Sequence, residues 1–184
     1  MLFSSIPILY YFLPVVLILY FIAPKKLKNS VLLLTSLVFY GWGEPKYVVL
    51  MIASILIGYV SGLLIEAFSQ KKLSKLFLWL SVGINIGFLA YFKYADFFIE
   101  NFNAATGLSI PLLRIALPIG ISFYTFQILS YTVDVYRKDV PAQKNLINLA
   151  AYVTMFPQLI AGPIVRYSHI AKELENRNIN VENF

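Results

Sequence analysis

The sequence predicts an all-α protein embedded in a membrane, with about six helices in the bilayer. Three observations carry that prediction. Apolar residues make up 59% of the 184 residues and charged residues only 13%, whereas soluble domains carry about a quarter charged residues. The mean hydropathy is +0.74. The basic residues fall in short clusters between apolar runs and not on one polar face. The net charge of +6 therefore does not indicate nucleic acid, whose binders gather lysine and arginine on a soluble surface. Cysteine is absent, which excludes disulfides and thiolate-bound metals. His169 is the single histidine, so a histidine-rich metal site cannot form within the chain.

The apolar runs define the elements in order. The first, 2–23, contains Pro7 and Pro14. No basic region precedes it, and Lys25, Lys26 and Lys28 follow at once, so it reads as a retained anchor and not as a cleaved signal. The second, 31–42, is short: twelve helical residues rise about 18 Å against a hydrocarbon core of about 30 Å. It must recruit its flanks or stop at "GWGEP", where Gly41, Gly43 and Pro45 mark a turn. The others are 46–65, 76–92, 110–136 and 146–165. The whole chain reads as one transmembrane domain, with a polar tail over 168–184.

Loop charge sets the expected orientation. Lys25, Lys26 and Lys28 lie in one loop, Lys71, Lys72 and Lys75 in another, and Arg137, Lys138 and Lys144 in a third. If every intervening run crosses, all three loops lie on one side. The positive-inside rule then puts them in the cytoplasm and the N-terminus outside. Tyr40, Trp42 and Tyr47 cluster at an outer turn, as an aromatic belt does. Between the fourth and fifth runs, 93–109 is amphipathic: Tyr94, Phe97, Phe98 and Phe102 keep helical spacing, with Lys93, Asp96 and Glu100 elsewhere. It reads as a short helix lying in the outer interface.

Small residues predict close helix packing. Ser54, Gly58 and Gly62 recur every fourth residue, as do Gly83 and Gly87. The two ridges lie on consecutive runs and are expected to pack on each other, with Asn85 making an interhelical hydrogen bond.

The fifth run, "LPIGISFYTFQILSYTVDVYR" (117–137), holds the strongest functional signal. Tyr124, Gln127, Tyr131 and Asp134 are separated by three, four and three residues. That spacing sets them on one helical face, over about 15 Å. Facing hydrocarbon, each would leave polar groups unsatisfied, so the face must meet protein or a water-filled cavity. Two readings stand: structural glue, with Asp134 ion-paired to Arg137 or Lys138, or the lining of a passage. Arg114, ahead of this helix, marks an outer end or a cavity mouth. The sixth run is broken by "FPQLIAGPIVRY" (156–167), where Pro157 removes an amide and Gly162-Pro163 ends a helix. A break at membrane depth would aim Gln158 and Arg166 inward; the alternative is a plain helix end with Arg166 snorkelling.

At these two stretches the chain resembles the membrane-bound O-acyltransferase family. Its nearest branch is similar to the bacterial alginate O-acetyltransferase type, with the D-alanyl transferases of teichoic acid modification as relatives. The opening "MLFSSIPILYYFLPVVLILYF" and the turn "FYGWGEPKYVVLM" resemble that branch too. The resemblance implies part of a larger helical ring with a tunnel through a thinned centre, in the cytoplasmic (inner) membrane. It implies transfer of an acyl group, acetyl in this branch, from a cytoplasmic thioester or acyl carrier protein to a hydroxyl of an extracytoplasmic polysaccharide or cell-envelope glycan. The acceptor would be met directly or through extracytoplasmic partner proteins, and no cofactor would be tightly held. Tyr124, Gln127, Tyr131, Asp134, Gln158 and Arg166 would line or shape the passage. The family's essential histidine, a general base, lies well beyond "GPIVRY". His169 falls instead where the family commonly has an acidic residue, and reads as an interfacial histidine. The chain is thus expected to be an N-terminal portion, inactive alone. A non-enzymatic transporter or scaffold, or a naturally short inactive subunit, is the alternative.

Overall fold

The computed structural model describes residues 8–24, 27–161 and 165–175. Every regular element among them is helical. A π-helical turn, Ile8–Phe12, runs into α1, Leu13–Ile22. Pro14 falls where the π-helical turn runs into α1, and its missing N–H removes one bond from that continuous helix. Helix α2, Lys28–Gly43, recruits residues on both sides of the 31–42 run and reaches about 24 Å. At its end the Glu44 N–H still bonds the Tyr40 carbonyl, and Pro45 opens a single 3-10 turn, Pro45–Tyr47. Then come α3, Val48–Ala67, α4, Leu73–Thr106, and α5, Ile121–Arg137. Three short helices follow: α6, Leu146–Thr154, α7, Phe156–Ala161, and α8, Tyr167–Glu175. Pro45–Ala67 and Leu73–Thr106 are long and apolar enough to cross a membrane.

The structure departs from the expected elements in two places. Residues 93–106 are not a separate helix. They prolong α4 into a single helix of 34 residues, about 51 Å long, which stops only at Gly107 with φ 72°. No glycine or proline interrupts the sequence between Gly87 and Gly107, so nothing ends the helix earlier. Residues 110–120, expected within the fifth apolar helix, are not helical. Pro111 and Pro118 remove two donors, and side chains of α4 supply better partners. The Asn103 side chain accepts from Ile110 N–H at 3.0 Å and donates to Ile110 C=O at 2.8 Å, and Asp96 accepts from Leu113 N–H at 2.7 Å. The segment thus runs back along α4, with Arg114 exposed and in the left-handed region at φ 49°. The sixth run is interrupted at Met155, just ahead of the 156–167 stretch: α6 stops at Thr154 and α7 begins at Phe156. Gly162-Pro163, Lys25, Lys26 and the tail beyond Glu175 lie outside the described residues.

Hydrogen bonds fix which loops share an end. Tyr47 donates to Ala116 C=O at 2.8 Å, and Tyr47 stacks edge-on against Phe92. The Glu44–Tyr47 turn and the 107–120 segment therefore meet at one end. At the other, Asn29 bonds Asn148 and Leu174 C=O, Tyr59 donates to Lys144 C=O, and Glu66 accepts from Ala142 N–H. Lys28, Lys71, Lys72, Lys75, Arg137, Lys138 and Lys144 belong to loops or helix ends at this second end.

The core lies between α3 and α5. Gly58 and Gly62 do not meet the glycines of α4, as the spacing suggested; they face α5. A Cβ at Gly58 would come 2.5 Å from Ile128 Cγ2, and one at Gly62 would come 2.8 Å from Tyr131 Cε1. A Cβ at Gly83 or Gly87 would meet nothing within 4 Å. Asn85 is buried, but its amide donates to Ser81 C=O one turn back on its own helix at 2.9 Å, not across helices. The α3 ridge exists because Tyr131 needs room, and residues on both sides of it (Met51, Ile55, Ile65) complete the seam. We predict that Gly62→Ala lowers folded yield and thermal stability in detergent by displacing Tyr131, by about 1–3 kcal/mol. Gly83→Ala, in open space, should leave both within about 0.5 kcal/mol. Equal losses in the two variants would refute the assignment of the ridge to α5.

Candidate functional site

Helix α5 is held at both ends by left-handed residues. Gly120 enters it at φ 75°, where a Cβ would lie 2.9 Å from Leu159 Cγ and 3.2 Å from the Leu159 carbonyl oxygen. Only glycine lets α5 start this close to α7. Lys138 leaves it at φ 64°, and Asp139 N–H returns to Asp134 C=O at 2.9 Å. Between these points the helix buries one face completely. Tyr124 and Tyr131 are 0% exposed, Gln127 1% and Asp134 4%, while Phe126 on the far side is 46% exposed. The polar stripe faces protein, as its chemistry required.

The stripe divides into two halves. Around Tyr131 the polar groups are paired. Residues 138–145 fold back toward the bundle, burying Val140, Ala142 and Gln143. Gln143 N–H donates to Tyr131 Oη at 3.0 Å, and the Gln143 amide donates to Tyr167 Oη at 2.8 Å. The ring of Tyr167 meets Tyr131 edge-on at 4.9 Å and Tyr152 at 5.3 Å, and Tyr152 donates to Val165 C=O at 2.6 Å. Elsewhere on the stripe, buried oxygens lack partners. Tyr124 Oη, Gln127 Oε1 and Asp134 Oδ2 make no hydrogen bond to a described residue, and neither do Tyr40 Oη on α2 and Ser54 Oγ on α3. Each such group costs about 1–3 kcal/mol unless something meets it. Asp134 forms no ion pair with Arg137 or Lys138, both of which are exposed, so the ion-pair reading does not hold.

The other singled-out residues divide as well. Gln158 is buried on α7, beside the Leu159 that abuts Gly120. Arg166 is exposed where α8 begins, its carbonyl accepting from His169 N–H at 3.2 Å, so it does not join the buried stripe. His169 is also exposed. Sequence reasoning missed Gln143, Tyr152 and Tyr167. Tyr167 closes the "GPIVRY" stretch and was within reach. Gln143 lies in an aperiodic loop, and nothing in the sequence shows that this loop turns inward.

These features, an apolar helical bundle with a buried polar seam on the "FYTFQILSYTVD" helix and a broken helix beside it, frame the comparison with known proteins. The chain is 40% identical over 189 aligned residues to the probable alginate O-acetylase of Pseudomonas putida, and equally to that of Azotobacter vinelandii. It is 31% identical over 213 residues to the peptidoglycan O-acetyltransferase of Helicobacter pylori. All of this chain is covered in each case. The chain belongs to the membrane-bound O-acyltransferase family. It spans 39%, 38% and 40% of the length of those three relatives, so this membrane-bound O-acyltransferase chain accounts for well under half of each. No family model matches the chain, and no solved structure matches it.

The two halves of the seam differ in what a substitution should do. Tyr131→Phe leaves the buried Gln143 N–H without its acceptor and should destabilise the protein by about 1–3 kcal/mol. Tyr59→Phe removes a bond to an exposed carbonyl of the same loop, which water can replace, and should cost about 0.5–1.5 kcal/mol. Unfolding in detergent, followed by tryptophan fluorescence, orders the pair; the reverse order would show that the loop is not anchored at Tyr131.

Proposed function

We propose that this chain is part of an O-acyltransferase that moves an acyl group, acetyl in the first instance, from a cytoplasmic donor to a hydroxyl of an extracytoplasmic polysaccharide. The printed names of its relatives, alginate O-acetylases and a peptidoglycan O-acetyltransferase, support the reaction and the acceptor class. The observation that carries the reading for this chain is the buried stripe of α5, whose Tyr124, Gln127 and Asp134 oxygens remain open to a further partner inside the protein. Such a stripe offers donors and acceptors to a polar group travelling through an apolar bundle. Tyr124 and Gln127 would present a hydroxyl and an amide, and Asp134 an acceptor toward the basic end. Gln158 would border the same interior from α7. None of these is proposed as the general base, and His169 is on the surface. The donor would be a thioester or acyl carrier protein, and the acceptor would be reached directly or through partner proteins outside the membrane.

The distribution of basic loops supports a placement for the chain. The basic loops collect at one end of the bundle, which the positive-inside rule assigns to the cytoplasm of a multi-pass protein in the inner membrane. The Glu44–Tyr47 turn would then face outward. A single cysteine at Lys46 should react with a membrane-impermeant maleimide in intact cells, and one at Ser69 only after permeabilisation; the opposite pattern would invert the orientation. For the passage, Gln127→Leu with Asp134→Leu in the complete protein should lower acetylation of the polysaccharide about tenfold or more at normal membrane levels. Unchanged transfer would remove the stripe from the mechanism.

A further inference from the structure

The turn between α3 and α4 builds a second, separate feature. Ser69, Lys71, Lys72, Ser74, Lys75 and Tyr136 surround an open cleft of about 550 Å³ at the basic end of the bundle. No acidic side chain lines it. None of the three lysines forms an ion pair with a described residue; Lys71 has only the Phe68 ring, 5.6 Å from its Nζ. The arrangement is electrostatically unfavourable as it stands. A helix N-terminus carries about half a positive charge, and natural sequences place acids there. Helix α4 has no acid in its first turn and no side-chain cap, and instead brings three lysines to that end. A further observation points inward. Ser74 is only 5% exposed, lines the cleft, and its hydroxyl makes no hydrogen bond to a described residue.

We propose that this cleft binds the phosphate of an anionic phospholipid headgroup. Three ammonium groups and the α4 N-terminus would neutralise the phosphate, and the Ser74 hydroxyl would donate to one of its oxygens. The volume, many times the roughly 30 Å³ of one water, accommodates a hydrated headgroup. The lipid source, in preference to a soluble phosphate, rests on what adjoins the cleft. Trp79 and Ile86 follow Lys75 along its own side of α4 and are 62% and 46% exposed. That face offers acyl chains a path from the headgroup site into the hydrocarbon. Tyr136, 38% exposed at the cleft wall, is the kind of amphipathic ring that settles at a headgroup boundary. The inference rests on the membrane placement proposed above and not on acyl transfer.

The test uses the complete protein in detergent, with phosphatidylglycerol, phosphatidylcholine and inorganic phosphate as probes and native mass spectrometry as the readout. Wild type should retain phosphatidylglycerol in preference to phosphatidylcholine. Lys71→Gln and Lys75→Gln should each weaken phosphatidylglycerol binding about fivefold, and Ser74→Ala should weaken it further. Lys46→Gln, at the opposite end, should not change it. Should the combined lysine variant prove unstable, binding to wild type should still fall with added salt. Equal retention of both lipids, or undiminished phosphatidylglycerol in Lys71→Gln/Lys72→Gln/Lys75→Gln, would overturn the site. Displacement of phosphatidylglycerol by inorganic phosphate at equal concentration would keep the phosphate chemistry and overturn the lipid source. An inverted maleimide pattern would remove the membrane placement without touching the binding result, so the two failures are distinguishable.

Discussion

A helix with Tyr124, Gln127, Tyr131 and Asp134 on one face cannot show that face to hydrocarbon, where no partner exists for a hydroxyl, an amide or a carboxylate. Much of the structure answers that constraint. Helix α3 offers a ridge of Ser54, Gly58 and Gly62 so that α5 can approach closely, and the Tyr131 ring occupies the space that a side chain at Gly62 would take. Residues 138–145 turn inward to bring a buried N–H to Tyr131 and an amide to Tyr167. Gly120 lets the start of α5 press against α7. Packing and polar pairing are thus two aspects of one requirement.

The requirement is met unevenly. The segment around Tyr131 is a closed network of tyrosines and Gln143, suited to holding helices in register. Tyr124, Gln127 and Asp134 are equally buried but keep oxygens without partners among the described residues. A stripe used only as glue would be expected to satisfy itself throughout, because each unmet group works against folding. The uneven pairing is what the proposed reading of α5 rests on. The stripe also lies apart from the α3–α4 cleft, which is basic, open and at the end of the bundle.

Periodicity carried the sequence reading far where one face of a helix had to be buried. The 3-4-3 spacing on α5 and the turn at "GWGEP" each follow from local rules, and the structure has both. Local rules did less well where two answers were equally apolar. Residues 93–106 have the spacing of an interfacial helix, yet an uninterrupted α4 satisfies the same spacing with fewer broken backbone bonds. Residues 110–120 are apolar enough for a span, but their prolines and the side chains of Asp96 and Asn103 favour an extended return along α4.

The sequence by itself determined that this is an α-helical membrane protein and that α5 buries a polar face, and its motifs resemble those of the membrane-bound O-acyltransferase family. Composition, spacing and resemblance are properties of neighbouring residues, and they survive without any fold. Tertiary structure alone decided which partners meet. It turned the glycine ridge of α3 toward α5 and left Gly83 and Gly87 open. It drew Gln143 into the core and left Arg166 outside. The physical reason is that hydrogen bonds and close contacts here join residues far apart in the chain, such as Glu66 with Ala142 and Asn29 with Asn148. No periodicity along the chain records which distant loop will arrive.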